Sequence, residues 1–330
     1  MRFVTLKNGK PDGVLHLVSR DNSRVLSAVD IAPTLQYALE HWDALYRALH
    51  ERSARLNSSP ASLGQAFNAQ QAMAPLPRAW QWLDGSAFRS HGELASRVYN
   101  MAPPTRVRPL MYQGVSNPFF GPTDDVPFTT EKDGIDFEGE FGVIVDSVSM
   151  GTPVTDAPGH IRLLVQINDW SLRFIGPEEM KTGFGWLQTK PPCSMAPIAV
   201  TPDELGGAWI ECRIALRLQV DWNGVRFGAP NGRDMGFGFH DLIAHAARTR
   251  ALCAGTIIGS GTVSNEDYRQ IGSACIADRR GIEKADHGVE TTPYMKFGDT
   301  VRMEARNLDD TPLFGAIDQK VVLASNKPRS

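Results

Sequence analysis

Long apolar runs are missing from this 330-residue chain. A helix that crosses a bilayer needs about 20 consecutive apolar residues, and nothing in the sequence approaches that, so no membrane-spanning segment is expected. Cysteine is scarce. Cys193, Cys212, Cys253 and Cys275 lie far apart and form no C-x-x-C pair. That spacing argues against a thiolate zinc site and a disulfide framework, and it suits a reducing compartment. The chain also lacks an excess of one charge. Its formal net charge of -3 provides no electrostatic case for a nucleic-acid or membrane partner. No internal repeat recurs along it. Residues 1–9, strand-like and then polar, do not have the layout of a signal peptide, and a cytoplasmic location is the expectation.

What the chain does have is the make-up of a folded globular protein, with 42% hydrophobic and 22% charged residues. Its length suits one large domain, or a large one with a small one. Residues 2–7, 14–18 and 24–29 read as a small β-meander. Pro33 and Thr34 then open a helix whose apolar positions Leu35, Leu39, Trp42, Leu45, Tyr46 and Leu49 recur at helical spacing. Residues 73–84, with two prolines and two tryptophans, read as a packed irregular segment before a helix near 91–99. Residues 102–106, Ala-Pro-Pro-Thr-Arg, are the best linker. The expected division is a small N-terminal domain over 1–104 and a larger domain over 105–330. Short strands dominate the second part, with Asn223-Gly224 marking a hairpin and an amphipathic helix over 239–249. Residues 171–181 look helical at their start, with Gly176-Pro177 interrupting. This pattern argues for a β-rich domain over a doubly wound sheet.

The most informative stretch is residues 134–145, Gly-Ile-Asp-Phe-Glu-Gly-Glu-Phe-Gly-Val-Ile-Val. Its second half is apolar and β-branched, as a buried strand requires. Side chains two apart on a strand share a face, so Glu138 and Glu140 aim at one region. Burial sharpens their repulsion, and either a bound cation or a shared proton relieves it. A solvent-facing edge with two ordinary glutamates would carry the same pattern. Asp169 stands where a second apolar strand, residues 162–167, runs out. An oxygen-only ligand set of this kind suits Mg²⁺, Mn²⁺ or Ca²⁺ rather than zinc. His240 and His245, beside Asp241, lack the i, i+4 zinc spacing and read as packing or surface residues. Gly259-x-Gly261 lacks the third glycine and helix of a dinucleotide loop.

Taken in order and spacing, Glu138-x-Glu140, Asn168-Asp169-Trp170-Ser171-x-Arg173, Lys190 and Ser260-Gly261-Thr262-Val263-Ser264 resemble the fumarylacetoacetate hydrolase family over about residues 105–325. The N-terminal part looks like the small extra domain of bacterial two-domain fumarylacetoacetase-like members. The resemblance implies an α+β, mostly β fold, a mixed β-sheet roll or sandwich of the family's C-terminal type. It implies that Glu138, Glu140 and Asp169 hold a divalent cation, Mg²⁺ foremost and Mn²⁺ or Ca²⁺ as alternatives. Arg173 and Thr262, with Tyr112, fall on the substrate side. Lys190 corresponds to the lysine that stabilises developing negative charge, and Asp278 lies near the acidic partner of the general base. The implied reaction is hydrolytic C–C cleavage of a β-diketone acid, fumarylacetoacetate or an acylpyruvate, in aromatic-compound breakdown, by a homodimer.

Two departures bear on that chemistry. The family's fourth acid and nearby basic histidine are expected before the Glu-x-Glu strand, but residues 112–118, Tyr-Gln-Gly-Val-Ser-Asn-Pro, contain neither. Gln113 or Asn117 would then supply a neutral ligand, and Asp278 or a metal-bound water the base. Gly176 also falls in the region where other members carry a glutamine. The alternatives are decarboxylation, hydration or isomerisation of a 2-keto acid on the same scaffold, or a non-catalytic relative that binds metal and small acids.

Overall fold

The computed structural model describes residues 1–59, 63–98 and 107–325. Strands β1 (Arg2–Leu6), β2 (Val14–Val18) and β3 (Arg24–Ser27) form the expected meander. Helices α1 (Leu35–Glu40) and α2 (Trp42–Ser58) follow, so the single apolar stripe is carried by two helices. The backbone leaves helical geometry at His41, with φ -122° and ψ 28°. Thr34 caps α1 by accepting from the Tyr37 amide. After β4 (Gln65–Ala66), residues 82–85 depart from expectation. They form a fully buried strand, β5 (Trp82–Gly85), rather than an irregular segment. Helix α3 (Arg89–Val98) comes next. The linker candidate at 102–106 lies outside the described residues.

The second part supplies β6 (Met111–Gly114), β7 (Val126–Phe128), β8 (Ile135–Asp136), β9 (Gly139–Val145), β10 (Ile161–Asn168) and β11 (Ser171–Leu172). Helix α4 (Gly176–Thr182) begins where an interruption was expected, because Pro177 sits in its first turn. There the absent N–H costs nothing and the fixed φ favours the helix. Then come β12 (Ser194–Met195), β13 (Ile198–Val200), the paired β14 (Trp209–Ile210) and β15 (Arg213–Ile214), β16 (Leu218–Trp222) and β17 (Val225–Gly228). The β16–β17 turn places Asn223 and Gly224 at φ 51° and 76°, the primed turn their sequence favours. Helix α5 (Phe239–Ala247), strand β18 (Ile257–Gly259), helices α6 (Tyr268–Ile271) and α7 (Ile276–His287), and strands β19 (Thr300–Arg306) and β20 (Pro312–Leu323) complete the chain.

One sheet of 11 strands runs β4-β3-β2-β1-β13-β10-β9-β18-β5-β6, with β12 paired to β10. A second runs β17-β16-β19-β20-β7. Most neighbours are antiparallel, but β18–β5 and β20–β7 are parallel. The sheets pack through Phe141, Val143 and Leu164 of the first against Val220, Met303, Phe314 and Ile317 of the second. Buried Gln166 links them, donating to the Met303 carbonyl and accepting from the Ala305 amide. Helices α1 and α2 cover the other face, where Leu35, Leu39 and Leu49 meet Phe3, Leu17, Ile144 and Leu163. The fold is therefore mixed α+β, mostly sheet, with a small N-terminal unit joined edge to edge through β1–β13. Among the described residues no helix is long and apolar enough to cross a membrane.

Candidate active site

The central strands of the large sheet build the site. Strand β18 lies between β9 and β5, with Gly259 opposite both Gly142 and Asp84. Asp84 and Glu140 project from the two flanking strands on the face that also carries Trp82. A Cβ at Gly259 would overlap Asp84 Oδ1 and the Trp82 ring, and would stand 3.0 Å from Glu140 Oε2. The glycine in the middle strand is what lets two carboxylates meet over it. Asp169 joins them from the end of β10, and oxygens of Asp84, Glu140 and Asp169 all lie within 4.8 Å of one another. All three residues are buried.

Hydrogen bonding distinguishes the carboxylates. Asp169 accepts from Lys190 Nζ at 2.6 Å, Tyr112 Oη at 2.8 Å and Cys193 Sγ at 2.9 Å. Asp84 Oδ1 accepts only a longer bond from the Gly261 amide, at 3.2 Å. Among the described residues neither oxygen of Glu140 meets a donor. Burial pushes the Glu140 carboxyl well above the usual carboxylate range, and the charges of Asp84 and Asp169 push it further. Asp84 is raised in the same way, by burial and then by Asp169, with Lys190 opposing. Among the described residues six buried carboxylates, Asp84, Asp136, Glu138, Glu140, Asp169 and Asp278, accompany two buried cations, Arg173 and Lys190, in this region. A hard divalent cation fits this oxygen-only set, its bare glutamate and its excess of negative charge.

Glu138, expected in that trio, is placed beside it. Its Oε1 accepts from Ser171 Oγ at 2.8 Å and lies 2.5 Å from Arg173. Its Oε2 accepts from Thr262 Oγ1 at 2.7 Å and lies 3.1 Å from Lys190. Burial opposes its ionisation, but Arg173 and Lys190 outweigh burial and hold the carboxyl well below its ordinary range. Lys190 thus bridges Glu138 and Asp169. Burial works against its charge too, but the two carboxylates push its pKa above that of a free lysine, so it stays an ammonium. Tyr112 and Trp186 wall this corner, with rings 5.1 Å apart and Lys190 Nζ 5.4 and 5.6 Å from their centroids. Glu179 of α4 fixes the adjoining loop by accepting from the amides of Leu187, Gln188 and Thr189.

The structure also places a histidine where sequence reading found none. His91, on α3, stands with Nδ1 2.8 Å from Asp278 Oδ1. Helix α7 brings Asp278 to it, and Cys275 caps that helix by accepting from the Asp278 amide. The His91 ring is a near neighbour of the Glu138 carboxyl. Residues 112–118 carry neither an acid nor a histidine, and the structure instead brings in Asp84 from the end of β5 and His91 from the start of α3. Gln113 is exposed and accepts from Arg250, and Asn117 is exposed. One signal could have found Asp84: it follows the apolar Trp82-Leu83, as Asp169 follows the apolar strand β10. The structure gathers Glu138, Glu140, Asp169, Arg173, Lys190, Thr262 and Tyr112 into one linked cluster of side chains, and Asp278 pairs with the nearby His91.

Comparison with known proteins fits this geometry. Residues 81–322 match the family model described as fumarylacetoacetate (FAA) hydrolase C-terminal, and residues 1–78 match fumarylacetoacetase N-terminal domain 2. A 2,4-didehydro-3-deoxy-L-rhamnonate hydrolase from Sphingomonas sp. (strain SKA58) is 26% identical over 162 residues, 48% of this chain and 54% of that protein. A human mitochondrial oxaloacetate tautomerase is 25% identical over 167 residues, 48% of this chain and 49% of that protein. The chain thus spans about half the length of the curated relatives it matches. Among solved structures, maleylpyruvate hydrolase from Sphingobium sp. SYK-6, in complex with manganese(II) and pyruvate, superposes with a TM-score of 0.66 at 16% identity, covering 98% of this chain and 100% of that one. Fumarylacetoacetate hydrolase from Exiguobacterium antarcticum gives 0.66 at 14% identity, covering 98% and 100%. These superpositions show a shared fold.

Proposed function

Because the chain belongs to the fumarylacetoacetate hydrolase family, we propose that it is a divalent-cation-dependent enzyme that cleaves a C–C bond in a β-diketone acid of the fumarylacetoacetate or acylpyruvate type. The observation that carries this reading is a buried, under-neutralised carboxylate trio with a histidine–aspartate pair close to the neighbouring Glu138. Asp84, Glu140 and Asp169 would hold the cation, with Glu138, joined to Asp169 through Lys190, as the fourth carboxylate of the set. When bound, the cation supplies a Lewis acid for the substrate's keto and carboxylate oxygens. Mg²⁺ is the first choice, with Mn²⁺ and Ca²⁺ as the alternatives.

The side chains divide the remaining work. Asp278 accepts from His91 Nδ1–H, which leaves the Nε2 lone pair to take a proton from water. That water adds to the substrate carbonyl. Lys190, held as an ammonium by Glu138 and Asp169, offsets the negative charge that develops on the carbonyl oxygen. The C–C bond then breaks with its electron pair on the leaving carbon, and the His91 imidazolium returns the proton there. Arg173 clamps the substrate carboxylate. Thr262 and Tyr112, both hydroxyl donors in the cluster, orient the substrate.

A tautomerase or isomerase reading uses the same groups without water addition, and the names of relatives such as the oxaloacetate tautomerase support keeping it second. A non-catalytic relative was motivated by a missing histidine, and His91 removes that motive. The test is a panel of diketo and keto acids assayed with Mg²⁺, Mn²⁺ or Ca²⁺ in ¹⁸O-labelled water. Hydrolysis incorporates ¹⁸O into a carboxylic acid product, and a chelator abolishes it reversibly. Proton exchange without ¹⁸O would favour the tautomerase. No turnover of any panel member would remove the enzyme reading.

A further inference from the structure

Asp136 is a completely buried carboxylate with no role in the chemistry above. It stands on β8, antiparallel to β11, with Ser171 as its partner in register. Its Oδ2 accepts from Arg173 Nε at 2.7 Å and from the Ala277 amide at 2.9 Å. Its Oδ1 accepts from the Ile276 amide at 2.7 Å. Those amides open α7, the helix that carries Asp278 in its first turn. One carboxylate therefore holds both the arginine and the start of the helix that supports His91.

We infer that Asp136 is a positioning residue: it fixes the Arg173 side chain for the substrate carboxylate and ties that clamp to the helix bearing the Asp278–His91 pair. Binding an anion requires a guanidinium that is already aimed, since an arginine free to rotate loses side-chain entropy on each encounter. The Nε bond to Asp136, with the neighbouring Glu138 contact at the NH2 end, sets the plane of the fork. The two amide bonds set the same carboxylate against α7, whose N-terminus favours a negative group. The inference rests on the proposed role of Arg173, and the test separates the two.

Asp136→Asn keeps one carbonyl oxygen for the helix amides but presents an N–H₂ or an uncharged oxygen to Arg173 Nε. In the unmodified full-length protein, the ¹⁵Nε–Hε resonance of Arg173, assigned by its loss in Arg173→Lys, is expected to exchange slowly with water. In Asp136→Asn it is expected to exchange fast, while the Ile276 amide keeps its protection. With Mn²⁺-loaded protein and pyruvate as the probe, Asp136→Asn should weaken binding roughly tenfold or more. The double variant Asp136→Asn/Arg173→Gln should bind no worse than Arg173→Gln alone. A fast-exchanging Arg173 resonance in the unmodified protein would overturn the inference, as would losses that multiply in the double variant. If the unmodified protein does not bind pyruvate, the functional reading is what fails, and the exchange measurement still decides the role of Asp136.

Discussion

His91 Nδ1 and Asp278 Oδ1 lie 2.8 Å apart although 187 positions separate them in the chain. The pair exists because α3 and α7 pack on each other, and α7 is docked by its N-terminus onto the segment that holds Glu138, through the Glu138–Cys275 bridge and the Gly139 amide bond to the Ala274 carbonyl. A carboxylate behind an imidazole fixes its tautomer and stabilises the imidazolium that forms. His91→Ala is expected to lower kcat by about 10²–10⁴, with Mn²⁺ affinity unchanged. Asp278→Asn should lower kcat by at least about 10² on the same grounds. Steady-state kinetics alongside calorimetric metal titration checks both, and loss of metal binding in His91→Ala would contradict the assignment.

Lys190→Met should abolish turnover while the cation stays bound. The ammonium is placed by Glu138 and Asp169 at 3.1 and 2.6 Å, so it can offset developing charge but is not needed to hold the metal. Turnover at the unmodified rate would take Lys190 out of the chemistry.

How much of this was legible in the sequence differs from residue to residue. Glu140 lies in a long apolar strand and Asp169 at the end of another, so alternation and a strand end pointed to them, whereas Arg173 and Lys190, near short elements, came from the family resemblance. The hairpin at Asn223-Gly224 and the helix at 239–247 were equally plain, because their signals are local. Asp84 and His91 were not. Strand β5 is four residues long, too short for periodicity, and follows a run of prolines and tryptophans that reads as irregular chain. Its partner β18 lies 175 positions later and pairs in parallel, a contact that local pattern does not report. In the sequence Gly259 is only half of a glycine pair that falls short of a dinucleotide loop. Its purpose, leaving space between two carboxylates, appears once the three strands stand side by side. Pro177 was read as a breaker and is a helix starter, because its effect depends on which turn it occupies.

The gap at Gly259 gives a further prediction. Gly259→Ala places a methyl group against Asp84, Trp82 and Glu140. Overpacking of this kind costs about 1–3 kcal/mol, and the displaced carboxylates should also bind Mn²⁺ less well. Thermal unfolding with and without Mn²⁺ should show a lower Tm and a smaller metal-induced rise. An unchanged metal response would mean that the Asp84–Glu140 approach is not what holds the ion.

The electrostatics set a pH dependence. Burial and mutual repulsion raise the Asp84 and Glu140 carboxyls above the usual carboxylate range. The metal-free folded state therefore keeps protons that the unfolded chain gives up above about pH 4. Stability from these groups is fully present below that pH and falls as pH rises through their folded values. A bound cation replaces the protons, so its affinity should rise with pH and its uptake should release protons. Calorimetry in buffers of different ionisation enthalpy measures that release. Metal uptake with no accompanying proton release would contradict the raised carboxyls.

The central claim, that Asp84, Glu140 and Asp169 grip one hard cation, is tested most directly by anomalous diffraction from crystals grown with Mn²⁺. The account predicts one strong peak about 2.0–2.6 Å from a carboxylate oxygen of each of the three residues. A peak that omits Glu140, or no peak between β5, β9 and the end of β10, would contradict it.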